Sequence, residues 1–172
     1  RDADGKLLRA NQNGELWIRT PTTIGRYING GELHVDTLDE RGFFRVGDVG
    51  YLDEEGFLFI TDRAKDLIIS GGVNVYPAEI EGAIIKHAAI QDVAVIGIPD
   101  DEFGEQVKAF CELKPGKSLT SEALLNFLTD HLASYKRPKS IEFVAELPRN
   151  TMGKLLKREL REPYWKNRER KV

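Results

Sequence analysis

The feature that most limits the fold is a change of hydrophobic rhythm at Asp62-Arg63-Ala64-Lys65-Asp66. Before this charged break, short apolar runs recur with turn residues between them at about eight- to twelve-residue intervals, the layout of an all-β segment. Gly14-Glu15-Leu16-Trp17-Ile18-Arg19 alternates apolar and polar positions. Residues 49–52 and 57–60 are joined by Asp53-Glu54-Glu55-Gly56, which predicts a hairpin whose Gly56 supplies the positive φ of the loop. After the break, strands alternate with helices. Pro77 at a first helical position, Glu79 and Glu81 in the first turn, and Ile80, Ala83, Ile84 and His87 at i, i+3, i+4 and i+7 predict an amphipathic helix over about residues 77–88. Thr120 as N-cap, with Leu124, Leu125, Leu128 and Leu132 on one face, predicts a second over about 121–133. Between them residues 93–98, ended by Pro99, form a nearly unbroken apolar run, which predicts a strand covered on both faces. Residues 108–113 and 141–144 predict two more strands. The expected class is therefore α+β: an all-β stretch over 1–62, then a small domain of sheet packed with helices over 63–172.

Composition narrows the function classes. With 172 residues and 41% hydrophobic content, the chain can bury a core without disulfides. The single Cys111 lies in an apolar run and reads as a packed core residue of a reducing compartment, so a cytoplasmic location is expected. A net charge of −3 gives no global field toward nucleic acid or anionic membrane, and no apolar run approaches the ~20 residues that span a bilayer. His34, His87 and His131 lack metal-ligand spacing, so no metal site is expected, and no G-x-S-x-G elbow is present. The chain opens on Arg1 in turn residues without a basic-plus-apolar leader, and is expected to be a piece of something longer.

Four loops carry residue types suited to chemistry, each with a plainer structural reading. Asp48 follows Gly47 at a strand entry; its carboxylate suits a pair of adjacent ribose hydroxyls and equally caps a turn. Arg63 and Lys65 place two cations in the charged break, as ligand contacts or as a solvated connector. Gly71-Gly72 before Val73 lets a backbone lie close to a ligand, or simply closes a hairpin. Pro148-Arg149-Asn150-Thr151-Met152-Gly153-Lys154 holds a lysine on a glycine turn, a movable point charge for phosphate and carboxylate oxygens, or an ordinary surface lysine.

In their order and separations these loops resemble the later core motifs of the adenylate-forming superfamily, which includes acyl-CoA synthetases, luciferase and peptide-synthetase adenylation domains. The likeness covers nearly the whole chain, and Ile69 through Pro77 with Pro99-Asp100-Asp101-Glu102-Phe103-Gly104-Glu105 look most like fatty-acyl-CoA synthetases. The resemblance implies that residues 1–62 end a large N-terminal AMP-binding domain and that residues 63–172 are a C-terminal lid. It implies ATP or AMP contacts for Asp48, Arg63 and Lys65, with Lys65 at the hinge. CoA would run along Gly71, Gly72 and Val73, with Tyr135, Lys136 and Arg137 near its nucleotide; the last three are equally a solvated loop. Lys154 matches the lysine needed for adenylation, bridging substrate carboxylate and α-phosphate.

The implied reaction joins a small-molecule carboxylic acid, a medium- or long-chain fatty acid, to CoA through an acyl-adenylate, consuming ATP. Mg2+ would be held by the missing N-terminal domain, which also carries the phosphate loop and the acyl pocket, so the fragment alone is expected to be inactive. Ile69, Asn74 and Phe103 depart from residues that some relatives place there and carry no assigned role. Two alternatives stay open within the family, a fatty-acyl-AMP ligase and a peptide-synthetase adenylation domain. A third, of another class, is a nucleic-acid-binding module using the basic residues 157–171; Glu159, Glu162 and Glu169 interrupt that stretch, so a solvated terminal helix and no nucleic-acid partner are expected.

Overall fold

The computed structural model describes residues 1–2, 5–22, 27–29, 32–34, 38–166 and 168, with 27–29 and 32–34 as backbone only. The side chain of His34, and Glu169 and Lys171, lie outside the described residues. The chain divides into two compact units, Arg1–Lys65 and Asp66–Val172.

In the first unit, β1 (Gly14–Ile18), β2 (Tyr27–Asn29), β3 (Glu32–His34), β4 (Phe44–Leu52) and β5 (Leu58–Arg63) form an antiparallel three-stranded sheet in the order β1-β4-β5 and a separate β2-β3 ladder. The expected β4–β5 hairpin is present. Asp53 Oδ1 accepts from the backbone of Glu55 at 3.0 Å and of Phe57 at 2.8 Å, and Gly56 takes φ +88° to close the turn. Those bonds hold Phe57 inside the turn, so β5 begins at Leu58 and runs on to Arg63, three residues further than its apolar pattern. Arg63 is thereby a strand residue opposite Asp48 rather than part of a solvated connector.

A 3-10 turn (Ala64–Asp66) leads into the second unit, whose elements are β6 (Ile68–Ser70), β7 (Val73–Val75), α1 (Pro77–Ile84), β8 (Ile90–Asp100), β9 (Gly104–Leu113), α2 (Ser121–Leu128), β10 (Ser140–Val144) and α3 (Lys157–Trp165). β9 is central: β8 lies antiparallel along it, β10 pairs parallel over Lys108–Glu112, and β6 meets it at Ser70 opposite Gly104. Period two along the strands explains the unbroken apolar run, because both sheet faces are covered. Val93, Val95, Val107, Ala109 and Cys111 face α1 and α2, in one core with Ile80, Ile84, Leu124 and Leu128. Ala94, Ile96 and Phe110 face the other way, against Leu147, Leu155, Leu160 and Tyr164. Burial pushes the Cys111 thiol up to about 12, so it is a neutral packing group.

Both predicted helices exist but are shorter. After Ile84 the chain turns at once into β8, with the backbone of His87 bonded to Ile84 O at 3.0 Å and that of Ile90 to His87 O at 3.0 Å. His87 therefore stands outside α1, its ring edge-on to Phe127 at 5.0 Å. α2 starts at the predicted cap, Thr120 Oγ1 accepting from Ala123 N at 3.2 Å, and stops at Leu128. The free edge of β8 is blocked by side chains: Glu81 Oε1 accepts from Val95 N at 2.7 Å, and Trp165 Nε1 donates to Gly97 O at 3.0 Å. Residues 95 and 97 share a parity, so both plugs sit on the same edge, where unpaired strand groups invite another chain.

The terminal helix is not the solvated one its charge pattern predicts. Lys157, Arg161 and Trp165, at i, i+4 and i+8, point into the unit: Lys157 Nζ pairs with Glu81 at 2.7 Å and Arg161 with Asp66 at 2.5 Å. Alternating charge marks a helix as polar, but these long side chains bury their stems and place their charges on fixed partners.

Candidate functional site

In the first unit the structure joins two residues that sequence reasoning had assigned to one ligand. Asp48 and Arg63 oppose one another across β4 and β5, and Arg63 Nε lies 3.2 Å from Asp48 Oδ1. Gly47, at φ +81°, turns the chain into this position. The Asp48 side chain is 22% exposed, and an ionised carboxylate offers about four lone-pair sites, so one cation does not exhaust it. The pair therefore presents acceptor and donor side by side, as a ribose with two hydroxyls requires.

In the second unit Gly71 and Gly72 form the two-residue loop between β6 and β7, with Ser70 paired to Val73. Both have positive φ, 57° and 78°, the backbone of a type I′ hairpin turn. The loop is tied to the β8–β9 connection, since Gly71 N donates to Phe103 O at 2.8 Å. Asp100 Oδ1 in turn accepts from Phe103 N at 2.8 Å, which sets the position of Phe103. Phe103 and Val73 are each 45% exposed, leaving an apolar rim beside an open glycine backbone.

Tyr135, Lys136 and Arg137 lie in and after a 3-10 turn, Ser134–Lys136, and the structure uses them unequally. Lys136 Nζ holds both Glu79 carboxylate oxygens, at 2.6 and 2.7 Å, and this bond raises its pKa above the ordinary lysine value. Arg137 donates to Leu132 O at 3.0 Å and Thr129 O at 3.2 Å, satisfying carbonyls past the end of α2. Tyr135 is the outward member, 52% exposed.

Lys154 ends a tightly organised loop. Asn150 binds its backbone on both sides: Lys154 N donates to Asn150 Oδ1 at 2.8 Å, and Asn150 N donates to Lys154 O at 2.9 Å. Met152 N also donates to Asn150 Oδ1, at 3.0 Å, and Gly153 takes φ +79°. Arg149 donates to Gly153 O at 2.6 Å and pairs with Asp92 of β8. The backbone is thus mounted on the sheet while the side chain is exposed, with no ion pair to its ammonium among the described residues. Sequence reasoning missed Asn150, Asp100 and Phe103 as supports. Asn150 had a signal, the local turn chemistry of its side chain; the Arg149–Asp92 pair, 57 residues apart, had none.

Among the described residues no group of three or more His, Cys, Asp or Glu side chains is arranged to hold a metal, and no helix is long and apolar enough to cross a membrane.

The family model for the AMP-binding enzyme C-terminal domain matches residues 79–154, from the glutamate that holds Lys136 to Lys154 itself. The chain belongs to the adenylate-forming superfamily. Among its relatives, a 2-succinylbenzoate–CoA ligase of Geobacillus sp. (strain WCH70) is 44% identical over 161 residues, 94% of this chain and 32% of that protein. A long-chain-fatty-acid–CoA ligase of Bacillus subtilis (strain 168) is also 44% identical, over 95% of this chain and 29% of that protein. The solved o-succinylbenzoate CoA synthetase of Bacillus subtilis, in complex with its acyl-adenylate intermediate, superposes with TM-score 0.83 at 35% identity over 92% of this chain and 32% of that one. The chain thus spans about a third of the length of the proteins it matches, and its α+β second unit has their C-terminal fold. The relatives differ in acid, so the likeness does not select fatty acids.

Proposed function

We propose that the chain is the C-terminal part of an ATP-dependent acid–thiol ligase that joins a carboxylic acid to CoA through an acyl-adenylate. In this reading residues 1–62 end the large AMP-binding domain and residues 63–172 form the lid, with Lys65 as hinge. The observation that carries it is Lys154, an exposed ammonium on a rigidly mounted backbone. Attack of a carboxylate on the α-phosphorus gathers negative charge on oxygens, and a cation on a fixed support stabilises that charge with little reorganisation. Asp48 and Arg63 would orient the ATP ribose. Gly71, Gly72 and Val73 would line the thiol's approach, with Tyr135 and, less directly, Lys136 and Arg137 near the CoA nucleotide. Mg2+ accompanying ATP would be held by polypeptide outside this chain.

The acid is proposed to be a medium- or long-chain fatty acid, in keeping with the fatty-acid ligase among the relatives. Equal identity to a 2-succinylbenzoate ligase supports a second reading, an aromatic acid. The test is ATP–pyrophosphate exchange and thioester formation by the full-length parent on octanoate, palmitate and 2-succinylbenzoate. Lys154→Ala should lower exchange by on the order of 10² to 10³, while CoA transfer to a supplied acyl-adenylate falls much less. The 172-residue chain alone should show no exchange. Equal loss of both half-reactions, or exchange by the chain alone, would refute the assignment.

A further inference from the structure

The loop that carries Lys154 leaves the second unit's sheet after Leu147 and returns at Leu155, and both ends are packed: Leu147 is buried, and Leu155 lies against the same cluster of Ala94, Ile96 and Phe110. Leu156 N donates to Pro148 O at 2.8 Å and closes a neck, beyond which residues 151–154 are all exposed. Asn150 shapes this tip, but its bonds to Met152, Gly153 and Lys154 all run within the loop. They hold the turn together without holding it against the sheet.

Two carboxylates supply the external hold. Asp92 of β8 and Glu112 of β9 stand opposite one another in the antiparallel register. Both share the parity of Ala94 and Phe110, so they lie on the face where the loop's ends pack. Glu112 Oε1 accepts from Leu147 N at the loop's entry. Asp92 reaches further: Oδ1 accepts from Val93 N at 2.8 Å, which orients the carboxylate, and Oδ2 accepts from Arg149 Nη2. The other prong of that guanidinium, Nη1, donates at 2.6 Å to Gly153 O, the carbonyl of the peptide that leads into Lys154. A planar fork with separate donors can hold a strand and a turn at once.

We infer that Arg149 and Asp92 are positioning residues for adenylation: together they fix the peptide before Lys154 to β8 and so set where the lysine amine is held. This rests on the ligase reading above. The Arg149 and Asp92 side chains are 40% and 29% exposed, and an ion pair so accessible to water adds little to folding. Its geometric effect is larger, because a charge that stabilises a transition state must already stand where the negative oxygen forms. Glu112 cannot substitute, since its hold lies at Leu147, on the sheet side of the neck.

The experiment uses the full-length parent with octanoate, palmitate and 2-succinylbenzoate as probe acids, and compares Arg149→Met, Asp92→Asn, Lys154→Ala and the double variant Lys154→Ala with Arg149→Met. A misplacement of about an ångström costs up to about 10² in rate, so Arg149→Met and Asp92→Asn should each lower kcat for ATP–pyrophosphate exchange by about 10-fold to 10²-fold. The KM for ATP, and CoA transfer to a supplied acyl-adenylate, should stay within about 3-fold. Tm should fall by less than about 4 °C. A residue that acts through Lys154 has nothing to position once that amine is gone, so the double variant should exchange pyrophosphate within about 2-fold of Lys154→Ala. A further loss in the double variant as large as in Arg149→Met alone, or equal loss in both half-reactions, would overturn the inference. Amide hydrogen exchange gives a readout independent of turnover: Gly153 and Lys154 should exchange faster in Arg149→Met while the amides of β8 and β9 stay as in the wild type, and unchanged exchange at the loop also overturns it. A wild-type parent that neither exchanges pyrophosphate nor makes thioester on any probe acid defeats the ligase reading instead, while the hydrogen-exchange data still decide whether Arg149 seats the loop.

Discussion

Replacing either glycine of the β6–β7 loop by alanine separates two costs that the structure assigns unequally. Both glycines have positive φ, 57° at Gly71 and 78° at Gly72, and an L-residue with a Cβ loses roughly 1–2 kcal/mol there. Around Gly72 a new Cβ meets nothing within 4 Å, so Gly72→Ala should cost only this backbone term. At a Tm shift of about 2–4 °C per kcal/mol for a chain of this size, that is a fall of about 2–8 °C. Around Gly71 the same Cβ would stand 3.1 Å from Phe103 Cδ1, so the ring must give way by a few tenths of an ångström. Because Phe103 is 45% exposed it has room to move, and the added cost should fall below the ~1–3 kcal/mol of overpacking a closed core. The expected order is Gly71→Ala, then Gly72→Ala, then Gly72→Asn, which tolerates left-handed backbone and should be nearly neutral. Thermal unfolding of the chain measures all three. In a Phe103→Ala background the two alanine variants should converge. If Gly72→Asn proves as damaging as Gly72→Ala, or the two alanine variants differ equally with and without the Phe103 ring, the turn and contact argument is wrong.

Two further outcomes can be measured. Cys111 should resist alkylation at pH 8 in the folded chain and react only on unfolding; since its thiol rises from 9.0 in the unfolded chain to about 12 when folded, stability should decline as pH rises across that window, and rapid labelling of the native chain would contradict the burial. Lys65→Pro restricts φ at the proposed hinge and biases Ala64, in the same 3-10 turn, away from helical backbone, so it should slow thioester formation more than adenylation in the full-length parent; an unchanged thioester rate would tell against a hinge at Lys65.

The recognisable parts of the fold were those written in local pattern. The Gly56 turn, the Thr120 cap and the two-faced apolar strand each depend on residues within a few positions of one another, and all three are present. Element ends were less legible. α1 stops at Ile84, although His87 continues the helical spacing, because the following turn brings β8 alongside β9; a period in the sequence does not record where a partner strand lies. The three-residue strands β6 and β7 are too short to show a period, and what marks them is the glycine pair between them.

For the candidate site, residue type put forward Asp48, Arg63, the glycine pair and Lys154 only beside plainer structural readings, and the ribose, thiol and phosphate roles proposed for them come from the resemblance of their order to the adenylate-forming motifs. What those groups are attached to was decided by tertiary contact alone. Arg63 meets Asp48 through strand register, Lys136 is taken by Glu79 across 57 residues, and Arg161 closes on Asp66 across 95. Charges so far apart in sequence leave no local trace of their pairing. Their partners are chosen only when the sheet and helices bring distant backbone together and, at the sheltered Arg161–Asp66 pair, exclude much of the water that would otherwise solvate each charge separately.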